Sequence, residues 1–155
     1  MKHSLLSTLV LFASVSSCAD RGDVSPRYGI YMVGAVERIN PTDVDRAWQI
    51  ALGMAGADAG EVADRRAIAV TFTWEVIKCP TPEDPSRLCA GLTRWNEAQV
   101  WRPRPGACVL GAESSLIHEF FHIALSAAGN DADVNHVDPR WRTIDAMAAP
   151  CTDSN

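Results

Sequence analysis

Apolar and polar positions recur with changing period along the chain, and each change of period marks an element. Val44, Ala47, Trp48, Ala51, Leu52 and Ala55 follow Pro41-Thr42-Asp43 at helical spacing, which predicts a helix with a core-facing stripe that stops by about Gly56. Residues 28–36 are rich in strand formers and predict a first strand. Between 67 and 77 the period falls to two, with Ile68, Val70, Phe72, Trp74 and Val76 opposing Ala67, Ala69, Thr71, Thr73 and Glu75; this predicts a strand with one strongly apolar face. Residues 92–101 alternate again, Trp95, Glu97, Gln99 and Trp101 against Asn96, Ala98 and Val100, until Pro103 and Pro105 end the ladder. Over 114–128 the apolar residues Leu116, Ile117, Phe120, Phe121, Ile123, Ala124 and Leu125 wrap nearly a whole helical circumference. Ser114 and Ser115 offer N-cap hydroxyls, and Gly129-Asn130 tolerates the left-handed end. The order predicts an α+β fold, with a small, mainly antiparallel sheet packed on an N-terminal helix and a buried second helix.

The chain starts differently. Met1-Lys2-His3 is a short basic head, and residues 5–15 are apolar but too few to span a bilayer. Val15-Ser16-Ser17-Cys18 follows directly and resembles the lipobox of bacterial lipoproteins, in which the cysteine is acylated and becomes the mature N-terminus. That resemblance implies a signal peptide over 1–17 and an anchor at Cys18, while the Asp, Arg, Gly, Ser and Pro content up to Arg27 predicts a spacer over 18–27 without fixed structure, ahead of a domain over 28–155. The protein is then exported and lipid-anchored at the surface of a bacterial membrane, on its periplasmic or extracellular side.

Loss of Lys2 with the signal would shift the formal charge from −5 to −6. An acidic chain repels phosphates, so nucleic acid is not an expected partner. Export also changes the reading of the cysteines, since Cys79, Cys89, Cys108 and Cys151 remain in an oxidising compartment. Cys79 and Cys89 bracket a proline-rich loop and are expected to pair, which leaves Cys108 for Cys151. The alternative of a four-cysteine zinc site lacks the close C-x-x-C pairs such sites use.

The chemistry concentrates in His118-Glu119-Phe120-Phe121-His122. On a helix, residues four apart stand one turn above each other, so both imidazoles point off one face and can share a metal, with the Glu119 carboxylate beside them. Three ionisable groups on an otherwise apolar helix would be costly without a partner, and a metal satisfies all three. An H-E-x-x-H helix following a small sheet resembles the zincin superfamily of metallopeptidases. The resemblance implies His118 and His122 as zinc ligands, Glu119 as general base and a third ligand from downstream, with one Zn²⁺ per chain. It covers the helix well and the rest of the chain in outline. Ala128 stands where metzincins place a third histidine, and no glutamate follows Glu119, so neither common third ligand is present.

That ligand has to come from the polar loop after the helix. His136 is favoured over Asp131, Asp133 and Asp138, because three-histidine catalytic zinc sites suit imidazole chemistry. The aspartates are then candidates to accept the far ring N–H of a ligating histidine. Arg140, Trp141, Tyr28 and Tyr31 are further candidates to line the cleft or assist an oxyanion. The expected activity is hydrolysis of peptide bonds in a peptide or protein substrate. Two competing readings are a non-catalytic lipoprotein binding a metal or a partner, for which Glu119 has no use, and a peptidoglycan amidase.

Anchoring gives the first test. Replacing Cys18→Ser should move the protein from the membrane to the soluble fraction, since serine cannot be acylated in this way. Membrane fractionation unchanged by the substitution would contradict the lipobox reading.

Overall fold

A computed structural model describes residues 23–57, 67–104, 106–110, 115–129 and 135–144. The signal peptide, Cys18, Asp131, Asp133 and Cys151, and with it the Cys108–Cys151 pairing, lie outside the described residues. Among the described residues no helix is long and apolar enough to cross a membrane.

The first helix, α1, runs Pro41–Ala55. Its start is fixed by Asn40, whose side chain accepts from the Thr42 N–H, and by proline at the first turn, where a missing N–H costs nothing. Gly56 ends it in the left-handed region at φ 68°, its N–H returning to Gly53 and Leu52 carbonyls. The predicted stripe is the buried face: Val44, Ala47, Trp48, Ala51, Leu52 and Ala55 are all in the core.

The strands are β1 (Asp23–Val24), β2 (Tyr31–Gly34), β3 (Ala69–Thr73), β4 (Ile77–Lys78), β5 (Leu88–Cys89), β6 (Gly91–Arg94) and β7 (Glu97–Trp101). Five of them form one sheet in the order β1-β2-β3-β7-β6, while β4 and β5 make a separate hairpin. The α+β class holds, and the five-stranded sheet is mixed. β2, β3 and β7 run parallel, and β1 and β6 pair antiparallel at the edges. For β2 and β3 the reason is α1, which crosses over between them and returns the chain in its original direction, as a parallel pair requires; β7 reaches its parallel place beside β3 after the chain has passed through β4, β5 and β6.

Alternation located the core face of β3 and β7, where Val70, Phe72, Ala98 and Val100 are buried, but it overran the strand ends. β3 stops at Thr73, so Trp74 and Val76 leave the apolar face and are exposed. The run 92–101 is a hairpin, with β6 and β7 joined through Trp95 and Asn96. Trp95 takes a positive φ of 58°, and Asn96 fastens the turn by donating its side-chain amide to the Ala67 carbonyl.

Residues 23–27, expected as spacer, belong to the fold. Buried Asp45 on α1 accepts from the Ser25 hydroxyl at 2.5 Å, the Arg27 N–H at 2.8 Å and the Tyr28 N–H at 3.1 Å. A buried carboxylate with three donors is compensated, and it clamps the incoming chain onto the helix. The Cys79–Cys89 disulfide forms as expected and closes the β4–β5 hairpin, with a Cα–Cα distance of 6.0 Å.

The second helix, α2, runs Leu116–Ala127 and packs between α1 and the β6–β7 end of the sheet. Trp48 meets Phe120 edge to face at 5.4 Å. Burying each such side chain contributes about 1.5–3 kcal/mol. Phe120, Phe121, Leu116 and Ala124 show no exposed surface, so both the apolar sides of α2 are fixed in place.

Candidate metal centre

Two of the site's imidazoles stand on α2, whose burial leaves them little freedom. His122 is buried and His118 half-buried, one turn apart, with ring centroids separated by 5.2 Å. The third arrives from the loop ahead of a short 3-10 helix, η1 (Pro139–Thr143). His136 holds a left-handed backbone, φ 54°, which is uncommon outside glycine and brings its ring back toward α2. Such strain persists where the surroundings over-determine it, and it collects at functional sites.

The three Nε2 atoms converge. His136 Nε2 lies 3.1 Å from His118 Nε2 and 3.2 Å from His122 Nε2. One ring N–H on His136 can serve only one of those neighbours, so hydrogen bonding alone leaves lone pairs facing each other. A shared cation resolves this: tetrahedral nitrogens at about 2.0–2.1 Å from zinc stand about 3.3–3.4 Å apart, close to the spacing found. His118, His122 and His136 can therefore hold a metal ion. The imidazole of His118 is held well below its ordinary range, at about 4, by burial first and then by the neighbouring His122 and His136. It is thus neutral at physiological pH, the form a metal ligand needs.

Glu119 leans to the other side, toward the edge strand. Its Oε2 accepts from the Thr93 hydroxyl at 2.6 Å, and the same hydroxyl reaches the Glu119 carbonyl at 3.0 Å. Gly91 makes the space, since a Cβ there would collide with Oε1 and stand 2.7 Å from both Cγ and Cδ of Glu119. Burial pushes the carboxyl up to about 7, and the Thr93 hydrogen bond pulls it partly back. A carboxyl in that range can take and return a proton near neutrality.

Neither Thr93 nor Gly91 was singled out by sequence reasoning. A glycine in a strand does signal close approach, so Gly91, just ahead of the alternating run 92–101, carried a readable sign, whereas Thr93 carried none. Asp138 is directed to Arg140: its carboxylate caps η1 by accepting the Arg140 N–H at 2.9 Å and also takes the Arg140 Nε at 2.9 Å. That pairing holds it at about 2. Arg140, considered above for an oxyanion, further donates to the Met54 carbonyl of α1 at 2.9 Å, so it anchors η1. Tyr28 and Tyr31 sit at the β1–β2 end of the sheet, across β3 and β7 from the strand that meets Glu119. Trp141 does join the site, its indole tilted against His118 and His122 and edge to face with His136.

The raised Glu119 carboxyl has a measurable consequence. A carboxyl whose folded value, about 7, lies above its ordinary 4.5 contributes stability that is complete below 4.5 and is lost as pH rises through 7. His118 runs oppositely, its contribution being present above 6.5 and lost as pH falls through about 4, so the two must be separated by substitution. In chelator-treated protein, the stability of Glu119→Gln relative to wild type should rise by on the order of 3 kcal/mol between pH 4.5 and 8 in denaturant titrations. A difference independent of pH would show that the carboxyl is not raised.

No family model, no curated protein and no solved structure matches the chain, so the reading of its function rests on the residues and geometry of this centre.

Proposed function

We propose that the protein is a zinc-dependent hydrolase of peptide bonds, with His118, His122 and His136 as the metal ligands and Glu119 as general base. The observation that carries this reading is the convergence of three imidazole nitrogens, two of them on the helix that also carries the buried carboxyl of Glu119. His118, His122 and His136 would hold zinc, which when bound would supply a Lewis acid and bring the pKa of a coordinated water toward about 7. Glu119 takes the proton of the attacking water and passes it to the leaving amine, a cycle suited to a carboxyl poised near neutrality. Thr93 orients that carboxylate from the opposite side, and Gly91 gives it room.

A peptide substrate is favoured by the strand beside Glu119. β6 closes the sheet, and among the described residues no further strand pairs with its outer edge. An extended peptide can add to such an edge through main-chain hydrogen bonds, placing its carbonyls in line with a neighbouring base. The non-catalytic reading leaves Glu119 without a role, and a structural zinc site would fill the fourth position with protein.

Metal analysis and hydrolysis of an unfolded protein separate these possibilities. Wild type should retain about one zinc per chain, and His118→Ala, His122→Ala or His136→Ala should each weaken binding by orders of magnitude. Glu119→Gln should keep the metal while hydrolysis falls at least 10²-fold, roughly the contribution of general-base catalysis. Retention of zinc by His136→Ala with loss in Asp131→Ala or Asp133→Ala would move the third ligand. Undiminished hydrolysis by Glu119→Gln would remove the base.

A further inference from the structure

Four aromatic contacts converge on one indole that the catalytic scheme leaves out. The Trp141 ring centroid lies 4.7 Å from that of His118, 4.5 Å from His122, 4.4 Å from His136 and 4.6 Å from Phe121. It is held from two directions. η1, which carries it, is anchored to α1 through Arg140 and the Met54 carbonyl, and the Arg140 guanidinium also sits 5.5 Å over the Phe121 ring behind the indole.

Helical geometry says which flank the indole covers. At about 100° per residue, Phe121 lies about 60° to one side of His118 and Glu119 about 100° to the other. Trp141 touches Phe121, His118 and His122, an arc from about 60° on one side of His118 to about 40° on the other, which stops short of Glu119. The two helix imidazoles meet the indole at similar tilts, 45° and 46°, and the loop imidazole at 70°. Trp141 packs against the core, and its indole also reaches beyond it to the ring of His136, which is exposed.

We propose that Trp141 is a positioning residue of the metal centre: its indole sets the angles of the three imidazoles and excludes water from the Phe121 flank, leaving the Glu119 flank as the approach to the metal. This rests on the metal-ligand reading above. Two physical effects act together. Ring packing restricts the rotation of three ligands that must hold their nitrogens on a common point, and the electron-rich indole favours the imidazoles once coordination has made them more positive.

The test measures zinc affinity by chelator competition and the visible spectrum of Co²⁺-substituted full-length protein, neither of which depends on turnover. Trp141→Ala should weaken zinc about 10–100-fold and alter the Co²⁺ bands as water enters the opened flank. Trp141→Leu keeps apolar bulk without the ring, so it should keep the Co²⁺ bands while losing part of the affinity. It also decides the matter should Trp141→Ala fail to fold by circular dichroism. Cu²⁺ should quench tryptophan emission one to one in wild type, and less in Trp141→Phe. Zinc affinity within about twofold of wild type and unchanged Co²⁺ bands in both the Ala and Leu variants would overturn the proposal alone. A wild-type protein that binds no zinc would overturn the ligand reading and this proposal with it.

Discussion

Burying a helix that carries two imidazoles and a carboxyl exposes the fold to a desolvation cost that only suitable partners can offset. α2 is such a helix: its apolar residues face α1 and the sheet, and His118, Glu119 and His122 occupy the remaining arc. The neighbouring elements are arranged around that requirement. β6 brings Thr93 and an absent side chain at Gly91 to Glu119, and the loop before η1 brings His136 to the two histidines. Packing of Phe120 against Trp48 on one side, and of Trp141 against Phe121 on another, keeps these partners in register.

The electrostatics of the centre follow from the same burial. Desolvation disfavours the charged form of either kind of group, so it lowers the imidazole of His118 and raises the carboxyl of Glu119. The outcome is a neutral imidazole followed in sequence by a carboxyl balanced near neutrality. One cause, burial, thus moves two adjacent groups in opposite directions.

Much of this is legible in the sequence. The 3.6-residue period marks the buried face of α1, and the H-E-x-x-H spacing aligns His118 with His122, because both depend only on local helical geometry. His136 is singled out by ligand chemistry, and its Nε2 stands 3.1 Å from that of His118 and 3.2 Å from that of His122. What could not be read depends on contacts distant in sequence. The parallel pairing of β2 with β3 follows from the path of α1 between them, and that of β3 with β7 from the passage of the chain through β4, β5 and β6, neither of which alternation encodes. The turn at Trp95 has no glycine or proline to announce it; Asn96 stabilises it through Ala67, nearly thirty positions earlier. Thr93 looked like any residue of an alternating run, and its pairing with Glu119 exists only once β6 lies over α2. Asp138 stood in a cluster of acids that suggested histidine partners, while an arginine two residues on was close enough to take its carboxylate.

If three histidines, two from one helix and one from a loop, bind a single zinc, X-ray absorption at the zinc edge of protein reconstituted with one equivalent of metal should show nitrogen and oxygen at about 2.0–2.1 Å, with scattering from three imidazole rings and one further light ligand. A sulfur shell at about 2.3 Å, or scattering from fewer than three imidazoles, would contradict it.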